Sequence, residues 1–268
     1  ACPAKPPPVT YSKTNTFMTV PLDLIPVLDL MGGQVVRARA GRRDEYRALE
    51  SVLCRSSRPE AVLDGLLDCY PFRRLYVADL DAILRRGDHR ATLERLRRSH
   101  PELELWVDAG FTDLATALHW QTSGLGRAVL GSESLTAVPE SDAWRADGIL
   151  SLDFRGDQFI GPDSLLQTPA AWPAQVIVMT LARVGAGLGP DLARLAQLQA
   201  MRPDCRLYAA GGVRHADDLD RLAASGAAGV LLASALHDGA LSRAELAAFH
   251  ALASASPAAT ENAPGRDR

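Results

Sequence analysis

Two stretches of the chain follow one pattern, and that repetition constrains the fold more than any other feature of the sequence. LDLIPVLDLMGGQVVRARAG, residues 22–41, is echoed by ILSLDFRGDQFIG, residues 149–161. In each, an apolar run ends in Leu-Asp (Leu28-Asp29, Leu152-Asp153), and Gly stands three residues after the Asp (Gly32, Gly156). Gln follows two residues later (Gln34, Gln158), with two apolar residues behind it. A short apolar run closed by a carboxylate and a glycine reads as a buried parallel strand that delivers a polar group to the turn at its carboxyl end. Two such strands in one domain can bring Asp29 and Asp153 to flank a single substrate.

The rest of the chain alternates in the same way. Strand-like runs fall at residues 24–29, 74–82, 103–110, 127–132, 148–153, 175–180, 206–212 and 229–234. A short extended run at 34–38 follows the first, then a polar loop at 40–51 (AGRRDEYRALES), long enough to suggest a functional role. A helix is expected over 59–69, with Pro59 in its first turn, and helical stretches such as DLATALHWQTS and PDLARLAQLQAM separate later strands. Eight strands alternating with helices over about 215 residues fit a closed (β/α)8 barrel better than an open doubly wound sheet.

A second duplication supports the barrel. The segment from Asp108 matches the segment from Ala210 at a constant offset of 102, pairing Gly110 with Gly212, Ser123-Gly124 with Ser225-Gly226, and Ser132 with Ser234. With the opening echo, strands one to four recur as strands five to eight, which makes the chain two half-barrels.

Composition narrows the chemistry. Lys5 and Lys13 are the only lysines, both within residues 1–17; that stretch is Pro-rich, lacks periodicity and is expected to be a disordered leader or an appended remnant. The barrel is assigned to residues 18–252 and a flexible tail to 253–268. A barrel without lysine cannot form a Schiff base with its substrate, which opposes lyase and aldolase mechanisms of that type. Net charge is −3, so no basic surface recommends nucleic acid or an anionic membrane as partner. No apolar run is long enough to span a bilayer and none reads as a signal peptide, so the cytosol is the expected compartment. Cys2, Cys54, Cys69 and Cys205 are scattered and read as reduced thiols, and the six histidines form no metal constellation.

Asp29 and Asp153 are the acid/base candidates, because each closes a barrel strand on the face where catalytic groups gather. Opposed carboxylates suit an isomerisation, one giving a proton to a ring oxygen or imine while the other takes one from carbon. Structural carboxylates bonding to turn amides are the alternative. Gly211 and Gly212, ahead of a helix, offer backbone N–H groups to a phosphate, and Ala233 with Ser234 completes the cradle; a tight turn needing Gly for conformation alone is the other reading. The first-half equivalents are Gly110, Gly131 and Ser132, beside Asp108, whose charge would repel a phosphate there. Asp79 and Asp81 alternate sides of their strand, so one should face the crevice; Trp106 reads as core.

IPVLDLMGGQVVRA, LYVADLDA, SLDFRG, AAGGV and VLLASAL together resemble the HisA family, the phosphoribosylformimino-aminoimidazole-carboxamide ribotide isomerase of histidine biosynthesis, which shares half-barrel ancestry with the cyclase HisF. The resemblance covers residues 24–239 and implies a (β/α)8 barrel, an Amadori-type aldose-to-ketose rearrangement of a phosphorylated small molecule, and no metal or organic cofactor. It implies catalytic roles for Asp29 and Asp153, phosphate binding at Gly211, Gly212 and Ser234, and supporting roles for Asp79, Arg155, Thr180 and Arg183.

The departures bear on the substrate. DAGFT stands where the family has GGGIR after strand three, the carboxylates usual after strand six are replaced in Met179-Thr180…Arg183-Val184-Gly185, and Ala233 replaces a usual Gly. A substrate with two phosphates is therefore in question. The GRRDEY loop resembles that of HisA-like paralogues found with genes for the one-carbon cofactors tetrahydromethanopterin and methanofuran, and such a paralogue is narrowly favoured over the histidine enzyme. A barrel that binds a phosphorylated or pterin-like ligand, or a partner enzyme, without turnover is the reading from another class.

Overall fold

The computed structural model describes residues 22–254. The leader assigned to residues 1–17 lies outside them, as does the tail beyond Ser254, where the last helix, Arg243–Ser254, ends.

Eleven strands follow one another along the described chain. They are β1 (Asp23–Met31), β2 (Gln34–Arg37), β3 (Arg47–Ala48), β4 (Arg74–Asp79), β5 (Glu104–Asp108), β6 (Arg127–Gly131), β7 (Ile149–Arg155), β8 (Gln158–Ile160), β9 (Gln175–Thr180), β10 (Arg206–Ala210) and β11 (Gly229–Leu232). Strands β1, β4, β5, β6, β7, β9, β10 and β11 are joined edge to edge in parallel, and β11 pairs back onto β1 through Ile25 and Leu231, so the sheet closes. Helices fill the connections, and the result is the expected (β/α)8 barrel. The Gln34 and Gln158 echoes are the outgoing arms of antiparallel hairpins on β1 and β7, turned by Gly32-Gly33 and by Gly156, all with positive φ.

Strand alternation sorts the side chains into two shells. Ile25, Tyr76, Trp106, Val129, Ile149, Ile177, Tyr208 and Leu231 fill the barrel, where the Trp106 and Tyr208 rings meet edge to face at 5.0 Å. Leu28, Leu75, Val107, Leu130, Leu152, Val178 and Leu207 point the other way, onto the helices. Among these helices Pro59–Cys69 buries Val62, Leu63 and Leu66 completely. Each such side chain contributes roughly 1.5–3 kcal/mol by leaving water. At the amino-end floor, Arg74 pairs with Asp23 and with Glu104, and Arg127 also reaches Glu104 (2.9 Å).

The same alternation decides which carboxylates reach the mouth. Asp29 continues the inward row of Ile25 and Val27, and Asp153 that of Ile149 and Ser151. Asp108 continues the row of Trp106 and is in register with Ala78, itself in register with Asp29. Asp79 falls in the outward row with Leu75 and Val77, and Asp81 lies beyond the strand in the helix Leu80–Ile83, which corrects the expectation that the two alternate sides of one strand with one facing the crevice, since residues two apart share a side. Asp79 instead caps the helix Leu80–Ile83 by accepting from the Ala82 N–H (3.1 Å), and it also accepts from the His89 N–H and Nδ1 (both 2.7 Å). Asp81 accepts from the Gly32 N–H at the β1–β2 turn (2.8 Å).

Candidate active site

A cavity of about 460 Å³ opens at the carboxyl ends of the barrel strands, and both Asp29 and Asp153 line it. Their strands, β1 and β7, are four places apart around the ring in either direction, so the two carboxyls enter from opposite walls. Asp29 is half-buried and accepts no hydrogen bond from any described residue. Burial raises its carboxyl to about 7, against the opposing pull of the Arg43 guanidinium. Asp153 is buried and held from three sides: the Ser151 hydroxyl donates to it (2.7 Å), as does the Glu133 N–H (3.1 Å), while the Ser132 hydroxyl lies 3.2 Å away. Burial, followed by the nearby Glu133 charge, raises it too to about 7.

Asp108, read from the sequence only as a charge that repels phosphate, joins the mouth with Tyr76, Glu133 and Tyr46, which the sequence did not single out. Asp108 is buried, and its carboxyl is also raised to about 7, chiefly by burial. Its Oδ1 accepts from the Gly110 N–H (3.0 Å), and its Oδ2 lies 3.5 Å from the Tyr76 hydroxyl. Glu133, after β6, pairs with Arg43 of the 40–51 loop, which the Ala40 N–H ties to the Val184 carbonyl across the mouth (2.9 Å). Tyr46 of that loop also lines the cavity, its phenol pushed up to about 12 by burial and by the Asp29 charge. For Asp108 and Tyr76 the signal was present in the sequence, as the inward phase of their strands. Glu133 carried none.

The two halves of the barrel treat their turn amides differently. At the offset of 102, the Gly110 N–H is taken by Asp108 and the Glu133 N–H by Asp153. Their counterparts, the N–H groups of Gly212 and Ala235, find no acceptor among the described residues, nor do those of Val213 and Ser234. Gly211, Gly212, Ala233 and Ser234 all line the cavity, beside Arg183 and Arg214. Gly211 and Gly212 have φ of +96° and +94°, and a Cβ on Gly212 would meet the Gly189 carbonyl oxygen at 2.1 Å, so the turn needs glycine sterically as well as conformationally. Free amides converging on open space form an anion cradle without a formal charge of their own.

The first-half residues expected to form a second cradle are placed elsewhere. Ser132 is fully buried, accepting from the Asp153 N–H (2.9 Å) and donating to the Ile160 carbonyl (2.6 Å), so its role is to position Asp153. Gly131 makes room instead of binding, since a Cβ there would meet Asp108 Oδ2 at 2.9 Å. Gly110 borders a separate small cleft with Arg85 and Trp120. Among the supporting residues, Arg155 and Arg183 line the cavity, whereas Thr180, in the outward phase of β9, donates to Asp191 (3.2 Å) in a neighbouring surface cleft.

The chain matches the model of the histidine biosynthesis protein family over residues 23–158 and 165–242. It is 27% identical over 227 residues to an uncharacterized protein of Methanocaldococcus jannaschii, covering 84% of this chain and 97% of that one. It is 28% identical over 242 residues to an isomerase of Halorhodospira halophila (81% and 93% of the two chains) and 29% identical over 248 residues to one of Symbiobacterium thermophilum (84% and 95%). Both of these isomerases are named for an imidazole-4-carboxamide bearing two phosphoribosyl groups. In the described residues no helix is long and apolar enough to cross a membrane. With the family model spanning most of the barrel, this chain belongs to the histidine biosynthesis protein family, in its HisA/HisF branch of isomerase-like (β/α)8 barrels.

Proposed function

We propose that this isomerase-family chain catalyses an Amadori-type rearrangement of an aminoaldose carrying one phosphate, with Asp29 and Asp153 as its acid/base pair. The observation that carries the reading is the pair of opposed carboxyls, both raised to about 7, entering one cavity whose rim between them, after β10 and β11, is the free-amide cradle of Gly212 and Ser234. With the phosphate held in the cradle, one carboxyl gives its proton to the sugar ring oxygen as the C1–O bond breaks and the nitrogen lone pair forms the iminium. The other carboxylate then removes the proton from C2, and the C2–H electrons neutralise the iminium as an enolamine, which tautomerises to the ketose. Groups poised near neutrality serve both donor and acceptor duty.

For the pathway, we favour a paralogue that serves synthesis of a one-carbon cofactor, tetrahydromethanopterin or methanofuran, over the histidine enzyme. Support comes from the 40–51 loop and from Asp108, which fills with the chain's own carboxylate the site where a second phosphate would sit. Two measurements test the reading. In D2O, the glycosylamine of ribose 5-phosphate should acquire deuterium at C2 with the parent protein and not with Asp29→Asn or Asp153→Asn; no exchange with the parent removes the isomerase assignment. A histidine-requiring strain lacking its isomerase should not be rescued by this chain, and growth would return it to histidine synthesis.

A further inference from the structure

The mouth is electrostatically divided. From β1 through β7 its wall carries four carboxylates, Asp29, Asp108, Glu133 and Asp153, with the Tyr76 phenol, Arg43 and Arg155; from β9 through β11 it carries the free amides, Arg183 and Arg214, and the single carboxylate there, Asp238, pairs with Arg37. The acidic arc is more than a collection of carboxylates in solvent. Asp108 is 6% exposed and Asp153 is 5% exposed, and the missing side chain of Gly131 is what lets both approach. Neither can swing away without abandoning the Gly110 or Glu133 amide that it accepts from.

The chain already shows what this arc accepts. The Arg43 guanidinium reaches over from the 40–51 loop, pairs with Glu133, and lowers the carboxyls of Asp29 and Asp108 by its charge. A planar, cationic N–H donor thus sits where a symmetric barrel would place a second anion. A phosphate brought there would meet two buried carboxylates that already occupy the Gly110 and Glu133 amides, and like charges a few ångströms apart in a cleft repel strongly.

Resting on the single-phosphate isomerase reading, we infer that the end of the substrate remote from its phosphate is a cationic or N–H-donating nitrogen group, such as an amine or amidine, bound by Asp108 and Glu133. These two are specificity-determining residues. Asp108 rejects a second phosphate and, with Glu133, receives the nitrogen group, displacing or joining Arg43. The arrangement fixes the direction in which substrate enters, phosphate toward β10–β11 and nitrogen toward β5–β6.

Three linear probes of equal length test this by calorimetry at about pH 8, where the buried carboxyls are ionised: 6-aminohexyl phosphate, hexyl phosphate and hexane-1,6-diyl bisphosphate. The parent should bind the amine at least about tenfold more tightly than hexyl phosphate, the size of a charge-assisted hydrogen bond, and the bisphosphate most weakly. Asp108→Asn retains an acceptor for the Gly110 N–H and should reduce the amine preference while improving bisphosphate binding. Glu133→Gln should reduce the amine preference alone. If all three probes bind equally, or the bisphosphate binds best to the parent, the inference falls and the phosphate reading stands. If none binds and inorganic phosphate does not either, both fall.

Discussion

Asp108 and Asp153, on neighbouring walls of the barrel, both bring an Oδ2 atom to the point where a side chain on Gly131 would begin: a Cβ there would lie 2.9 Å from the first and 3.6 Å from the second. The glycine at the end of β6 therefore allows two buried carboxyls to share one corner of the cavity. Gly131→Ala should force them apart or displace β6. A loss of at least about 1–3 kcal/mol in urea unfolding is expected, as for overpacking of a tight interior, and a variant as stable as the parent would show the corner to be looser than described.

Asp29→Asn and Asp153→Asn should each remove most turnover, by about 10² to 10⁴-fold, because Asn keeps shape and hydrogen bonding but carries no transferable proton. Phosphate affinity should barely move, since the cradle amides of Gly212 and Ser234 are on other strands. Far-ultraviolet circular dichroism would verify the fold, and turnover close to that of the parent in either variant would make the aspartates structural.

The raised carboxyls make a stability prediction with a defined sign. Burial raises Asp108 to about 7 in the folded chain, against the ordinary carboxyl value of 3.8. Below the lower value both states hold the proton; between the two the unfolded chain releases it while the folded one keeps it. The stability contributed by the protonated group is thus lost as pH rises through that window, and the loss is complete above about 7. Asp108→Asn removes the effect and should be more stable than the parent at about pH 8, by on the order of 1–3 kcal/mol, with the difference shrinking at about pH 4. Denaturant titrations at the two pH values measure it, and a parent more stable than the variant at the higher pH would contradict it.

Ser234→Ala should weaken inorganic phosphate binding several-fold, as expected for one neutral hydrogen bond of about 1 kcal/mol, without changing the pH profile of turnover. Ser234 lines the cavity; it follows β11, three strands from β7 and Asp153 but next to β1 and Asp29, and no hydrogen bond joins it to either carboxyl. Unchanged affinity by calorimetry would assign the anion to the backbone amides alone.

Asp79→Ala tests a residue that the structure takes out of the site. Asp79 is 1% exposed and accepts from the Ala82 N–H, the His89 N–H and His89 Nδ1. Its removal strands those donors and should cost about 3 kcal/mol or more in stability. Turnover per folded molecule should remain close to that of the parent, whereas a selective loss of turnover with stability intact would return Asp79 to the site.

The sequence alone determined the barrel, the positions of its eight strands to within a few residues, and the two strands that end in Asp29 and Asp153. These follow from local chemistry: apolar runs, turn glycines and helix signals repeat in register, and duplication doubles the evidence for each. Strand parity was also there to be read. It places Asp108 inward with Trp106, and sends Asp79 outward with Leu75 and Thr180 outward with Val178. Only the tertiary structure decided that Asp108 and Asp153 occupy the first-half turn amides, that Ser132 lies behind Asp153, and that Arg43 crosses the mouth to Glu133. Apart from the Asp108–Gly110 contact, which spans two residues, those are relations between segments 20 to 90 residues apart. The turns after β5 and β10 differ locally, with Asp108 where the second half has Ala210, but whether the amide after β6 or β11 stays free depends on which side chain the closed barrel brings to it from another strand, as Asp153 comes to Glu133, and no local pattern encodes that.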